Sequence, residues 1–334
     1  MNMLSRVADS IYWMSRYVER AENIARFIDV NLNLSLDLGP EMEGHWEPLI
    51  YTTGDHEEFQ KQYGLADQRN VLKFLTFDTQ NSNSVLSCLR AARENARTVR
   101  DMVSTPMWEE LNKFYLLVKS ADQEQVLAAP FDFFAQIKLA AFTFTGATHS
   151  SLSRGEAWHF HRMGQMIERA DKTSRILDVK YYVLLPRAAD IGTQFDTNQW
   201  TALLKSASAL EMYRKAYGGI TPSEVAEFLI LNREFPRAMR FCIGRAEDSL
   251  LAITGGHQGT FTNRAEQRLG RLRSELDYTN TEEIMKLGMH EFIDQFQTKL
   301  NGVGEGIFDT FFAVKVDPPA MRQRQSQSMQ SSSP

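Results

Sequence analysis

The stretch Tyr17–Val30 reads YVERAENIARFIDV, and Met166–Val179 reads MIERADKTSRILDV. Six positions are identical at a constant offset of 149 (19 to 168): Glu19/Glu168, Arg20/Arg169, Ala21/Ala170, Arg26/Arg175, Asp29/Asp178 and Val30/Val179. Further along, the offset becomes 154 (88 to 242) and holds through Trp46/Trp200, Tyr63/Tyr217, Gly64/Gly218, Phe74/Phe228 and Cys88/Cys242. Amphipathic helices share apolar positions by chance, but chance does not readily align Trp, Tyr-Gly and Cys in one register. Self-similarity at this period reads as a tandem duplication of one unit. The expected units are residues 1–150 and 151–316, with the boundary in the polar stretch Ser150–Gly155 and a polar tail, 317–334, read as disordered. Whether the units form two domains or one fused bundle is left open by the residues.

Helical periodicity dominates and β-branched alternation is almost absent, so the expected fold is all-α, a pseudo-symmetric helical bundle. One long helix is expected from Leu4 to about Leu36. On a wheel of 100° per residue, Trp13, Met14, Tyr17, Ala21, Ile24, Ala25, Ile28 and Leu32 share a core face. Arg16, Glu19, Asn23 and Arg26 lie opposite. Thr221-Pro222-Ser223-Glu224 predicts a helix start with a capping box, and Thr105-Pro106 a similar start. Gly64 and Gly218-Gly219 follow polar helical runs, where a left-handed C-terminal cap needs glycine. Asp37–Tyr51, with Gly39, Pro40, Gly44 and Pro48, and the segment after Tyr182, with Pro186 and Gly192, read as connections.

With 334 residues, 43% hydrophobic and 24% charged, the chain can bury a large core without a staple. A net charge of −5 with dispersed Lys and Arg disfavours non-specific nucleic-acid binding. The two cysteines, Cys88 and Cys242, fall in apolar helical patterns, which argues against a disulfide framework and for a reducing, cytoplasmic setting. Asp9, Arg16, Glu19 and Arg20 interrupt any secretory apolar run, and no stretch approaches a membrane span.

The candidates for substrate or partner binding are Arg16, Glu19, Arg20 and Arg26 in the first copy and Glu168, Arg169 and Arg175 in the second. The plainest account is a solvated face carrying i,i+3 and i,i+4 ion pairs, each worth about 0.3–0.5 kcal/mol. Two features weigh against it. Tyr12, Phe27 and Val30 lie among or beside the charges, and the charges persist between the copies while much apolar packing changes size. A buried bidentate clamp and an anion or carboxylate site remain as alternatives.

Other motifs carry less. Glu156 and His159 form one Glu-x-x-His element without a second, so no metal and no cofactor is expected. The cysteines lack an adjacent His and read as core residues. Arg90, Arg93, Arg97 and Arg100, with Arg237, Arg240 and Arg245 in the second copy, read first as a solvated face and second as an anion-binding run. No phosphate loop, dinucleotide glycine pattern or nucleophile elbow occurs, so no catalytic residue can be assigned.

At Leu4-Ser5-Arg6, Tyr12-Trp13 and Arg16–Asn23 the sequence resembles the bacterial Alpha-E family, known for its helices and its Glu-Arg motif. The likeness continues through Ala92–Arg97, Trp108–Asn112, Ile167–Asp171, Phe235-Pro236-Arg237 and Gly270-Arg271-Leu272. It covers nearly the whole chain. Ala238 stands where relatives often have Ser. The resemblance implies that the motif residues are Glu19, Arg20, Glu168 and Arg169. It also implies an association with a circularly permuted ATP-grasp protein, a transglutaminase-like protein and a proteasome-like peptidase, in a peptide synthesis or modification system. Under that implication the chain is a helical component of an amide-ligase system that binds a peptide carboxylate, an acyl phosphate or the partner enzyme. A free-standing helical enzyme and a non-catalytic scaffold are the competing readings.

Overall fold

The computed structural model describes residues 3–38, 46–182 and 194–313. The described elements are helical and follow one order twice. The first run is α1 (Ser5–Leu38), α2 (Glu47–Thr53), α3 (His56–Gln62), α4 (Gln68–Thr76), α5 (Val85–Thr98), α6 (Thr105–Lys119), α7 (Gln123–Ala128) and α8 (Phe131–Ser151). The second is α9 (Glu156–Tyr182), α10 (Gln194–Ser206), α11 (Leu210–Ala216), α12 (Pro222–Ala226), α13 (Met239–Thr254), α14 (Arg264–Tyr278), α15 (Thr281–Leu287) and α16 (Met289–Ile307). α12 and α16 each run on into a π-helical turn, Glu227–Leu231 and Phe308–Phe312.

The packing recurs in the same way. α1 lies against α5 and α8 as α9 lies against α13 and α16, and α1 and α9 pack on each other at the centre. Each run also reaches across, α2 onto α9 and α10 onto α1. One apolar interior holds Phe59, Phe74 and Phe134 from the first run together with Phe160, Tyr213 and Phe296 from the second. The two central helices approach closely at Gly164, where an added Cβ would lie 2.5 Å from the Tyr12 carbonyl oxygen. Beside it, the Ser15 hydroxyl donates to the His161 carbonyl at 2.6 Å. Tyr12/His161 and Ser15/Gly164 are pairs at the offset of 149, so the crossing is built from equivalent positions.

Several expectations need correction. The side of α1 opposite the apolar face is not solvated: Glu19 and Asn23 are each 2% exposed and Arg26 4%. α1 is buried on both sides because α9 covers the charged one and brings counter-charges with it. Pro48 sits in the first turn of α2, inside the segment read as a connection, where a missing N–H costs nothing. The rest of that segment from 39 to 45, the connection at 183–193 and the tail 317–334 lie outside the described residues.

At the helix ends, α6 does start at Thr105, but Ser104 is its cap and accepts from the Met107 N–H. Thr221 caps α12 as expected, by accepting from Glu224 N–H at 3.3 Å. The Glu224 carboxylate, however, takes the Thr221 hydroxyl at 2.7 Å and not its backbone N–H, so the box is not reciprocal. A reciprocal box forms instead at Asn280 and Glu283. Gly64 is left-handed, φ +68. Gly218 and Gly219 are not among the positive-φ residues, because α11 ends at Tyr217 in extended backbone and needs no left-handed cap.

Candidate functional site

The candidate residues meet in one charged seam between α1 and α9, and the pairing crosses from one run to the other. Arg169 on α9 donates through Nε and Nη2 to the two oxygens of Glu19 on α1, both at 2.8 Å. Reciprocally, Arg20 on α1 donates through Nε at 2.6 Å and Nη2 at 3.1 Å to Glu168 on α9. Arg16 adds a third bond to Glu168 at 2.8 Å and touches Tyr12 OH at 3.3 Å. The expected pairing along a single helix therefore gives way to pairing between helices. Pairing along one helix persists at Arg26–Glu22, Arg175–Asp171 and, more loosely, Lys172–Glu168, all i,i+4.

Three neighbours complete the seam. Arg237, just before α13, donates to Glu19 at 3.1 Å, to Asn23 at 3.1 Å and to Glu22 at 2.6 Å. Its equivalent at the offset of 154 is Asn83, which accepts from Arg20 at 2.7 Å and passes the contact on to Asp55 at 2.8 Å. Lys172, equivalent to Asn23, stands 3.1 Å from Asp171 and 3.6 Å from Glu168. Sequence reasoning placed Arg237 in a solvated basic run and gave Lys172 no role. The Asn83/Arg237 and Asn23/Lys172 exchanges were legible in the repeat alignment, and each adds one cation to one side of the seam.

Arg26 and Arg175 end the seam at equivalent places. Arg26 donates to the Ser208 hydroxyl in the turn after α10, and Arg175 Nη1 lies against Gly54 in the turn after α2. Ser208 and Gly54 are equivalent and both have positive φ, +50 and +81. Glycine takes that backbone freely. Serine takes it at a cost of about 1 kcal/mol.

The electrostatics follow from burial and neighbours. Burial alone would raise the Glu19 carboxyl, but Arg169 and then Arg237 outweigh it and hold the group well below the usual carboxylate range. Glu168 behaves likewise, with Arg20, Arg16 and Lys172 outweighing its burial. Both carboxylates stay ionised, fixed by bidentate donors. Such a carboxylate is a poor proton acceptor and a poor ligand for a further cation. His161, beneath the crossing, is pushed down to about 3 by burial and by His149.

Outside the seam, Glu156 accepts from the Met3 backbone N–H at 2.8 Å. Among the described residues no group of three or more His, Cys, Asp or Glu side chains could hold a metal ion. Cys88 and Cys242 are buried and unpaired, and their thiols are pushed up to about 12 by burial. Arg93 is half-buried against Trp108 at 5.6 Å and Tyr115 at 5.2 Å, while Arg90 and Arg97 are exposed as expected.

Comparison with known proteins gives this helix arrangement a family. The Alpha-E family, described as a predicted alpha-helical domain with a conserved ER motif, matches residues 3–312. The chain belongs to that family. The Glu-Arg dipeptides Glu19-Arg20 and Glu168-Arg169 both lie within the matched residues, and they are the four residues that cross-pair at the centre. Similar chains include an uncharacterized protein of Mycobacterium bovis, 22% identical over 328 residues, and one of Mycobacterium tuberculosis, 21% identical over 328 residues. The alignment covers 91% of this chain but 36% of each relative, so the chain spans about a third of their length. No solved structure matches. Among the described residues, no helix is long and apolar enough to cross a membrane.

Proposed function

We propose that this chain is a non-catalytic helical component of an ATP-grasp-linked peptide-modification system, built as two copies of one unit, in which the Glu-Arg motif is the clamp that joins the copies. One observation carries the clamp: each motif glutamate is buried and held by the motif arginine of the other run, Glu19 by Arg169 and Glu168 by Arg20. All three guanidinium nitrogens of Arg20 and of Arg169 donate to protein acceptors. In each arginine the Nε–Nη2 edge, the one that grips a carboxylate with two parallel bonds, is already filled by the facing glutamate, and three of its five N–H groups are engaged inside the protein.

The partner class rests on the family resemblance. The greater length of the relatives supports a chain that works joined to, or beside, further polypeptide. Partner contact then falls to the outer faces of the helices, with the clamp keeping those faces in register.

The test is the Glu19→Gln/Arg169→Gln double variant, which removes both charges and leaves two amides able to bond each other. The reading expects a folded protein that still co-purifies with the ATP-grasp partner and supports modification in proportion to the folded fraction. Loss of modification with folding and partner association intact would assign the motif a chemical role and overturn it.

A further inference from the structure

The seam is not neutral. Among the described residues, on one side Arg26, Arg169 and Arg237 pair only with Glu19 and Glu22; on the other, Arg16, Arg20, Lys172 and Arg175 pair only with Glu168 and Asp171. The two surpluses differ in what can answer them. Arg16 and Arg175 keep 16% and 28% of their side chains in solvent, so water screens that side. Arg26 and Arg237 keep 5% and 9%, and both donate to the same Glu22 oxygen. Arg26 Nε is buried and has no acceptor among the described residues. A buried guanidinium with an unmet N–H and a shared counter-charge is an expensive arrangement for a fold to keep for stability alone.

We infer that Arg26, with Arg237 beside it, forms a binding site for a small oxyanion, a carboxylate or phosphoryl group, which meets the vacant Arg26 Nε and supplies the missing negative charge. Ser208 fits the same assignment. In the equivalent turn the fold uses Gly54, whereas here it tolerates a serine at φ +50 whose hydroxyl stands on Arg26. That hydroxyl is free to reorient toward an anion. Phe142 on α8 lies 5.8 Å from the Arg26 guanidinium and is itself 55% exposed, so the site is one side chain from solvent. Burial and the neighbouring Arg237 lower Arg26 to about 10, still charged at neutral pH. This assignment does not rest on the partner class proposed above.

Thermal melting of the full chain tests it. Inorganic phosphate and acetate are titrated separately at constant ionic strength, with chloride as the background salt. At a concentration near a hundred times Kd the expected result is a saturable rise in Tm of roughly 5 °C with at least one oxyanion. Arg26→Gln should abolish the saturable part. Glu22→Gln, which removes the competing carboxylate, should tighten anion binding and have its own loss of stability rescued by the anion. A phosphate-only response assigns a phosphoryl ligand, and an acetate response assigns a carboxylate. A rise that chloride reproduces, or one unchanged in Arg26→Gln, overturns the site. Failure of the clamp reading would show separately, as loss of modification by a Glu19→Gln/Arg169→Gln variant that still folds and still associates with its partner.

Discussion

Arg169 grips Glu19 across the seam between the two central helices through two hydrogen bonds of 2.8 Å, on a carboxylate whose side chain is 1% exposed. The relation is reciprocated by Arg20 and Glu168, whose side chain has no exposed surface. Breaking such a pair is costly even where forming it contributes little, because the remaining charge stays buried.

Glu19→Gln and Glu168→Gln should therefore each lower stability by about 3–5 kcal/mol, read from urea or thermal unfolding. Glu168→Gln should cost more, since it takes the paired carboxylate from both Arg16 and Arg20 and leaves Lys172 with Asp171. A loss under about 0.5 kcal/mol in either variant would return these residues to the class of solvated charges.

The double-mutant cycle of Glu19→Gln with Arg169→Gln isolates the pair. Its coupling energy should exceed about 1 kcal/mol, in the range of residues sharing one buried network. Additive losses would show that the two side chains act through different neighbours.

Acid should weaken the fold in two stages. His161 has its folded pKa depressed to about 3 from 6.5, so the unfolded chain binds that proton first. Its stability contribution is complete above 6.5 and declines as pH falls toward 3. Glu19 and Glu168 are also depressed, from 4.5, so their contribution is complete above 4.5 and is lost below it. His161→Phe should flatten the stability profile between 6.5 and 4.5 and leave the steep loss below 4.5 in place. An unchanged profile from urea midpoints across pH would remove His161 from this account.

Gly164→Ala should destabilise by about 1–3 kcal/mol, because its Cβ would stand 2.5 Å from the Tyr12 carbonyl, and backbone cannot swing aside as a side chain can. Melting of this variant against Gly146→Ala, where an added Cβ meets nothing within 4 Å, separates the crossing from helix propensity.

Cys88 and Cys242 should resist alkylation at neutral pH until the chain unfolds, since both thiols are buried and raised to about 12. Mass shifts with iodoacetamide in and out of denaturant measure this directly. Rapid labelling of the native protein would contradict their place in the core.

Amino-acid order alone determined the helical class, the long first helix, the repeated Glu-Arg motif and the apolar surroundings of both cysteines. These follow from periodicities and offsets local to the chain. What it could not determine is where the polar side of α1 points. Arg16, Glu19, Asn23 and Arg26 form a polar stripe, and a polar stripe has the same spacing whether water or a second polar stripe covers it. Only the crossing of α1 on α9 at Gly164 brings Arg169 to Glu19 and Arg20 to Glu168, and only the start of α13 brings Arg237 onto Glu22. The physical reason is that charge pairing depends on distances across the fold, between groups about 150 to 215 positions apart in the chain, and no local pattern encodes such distances.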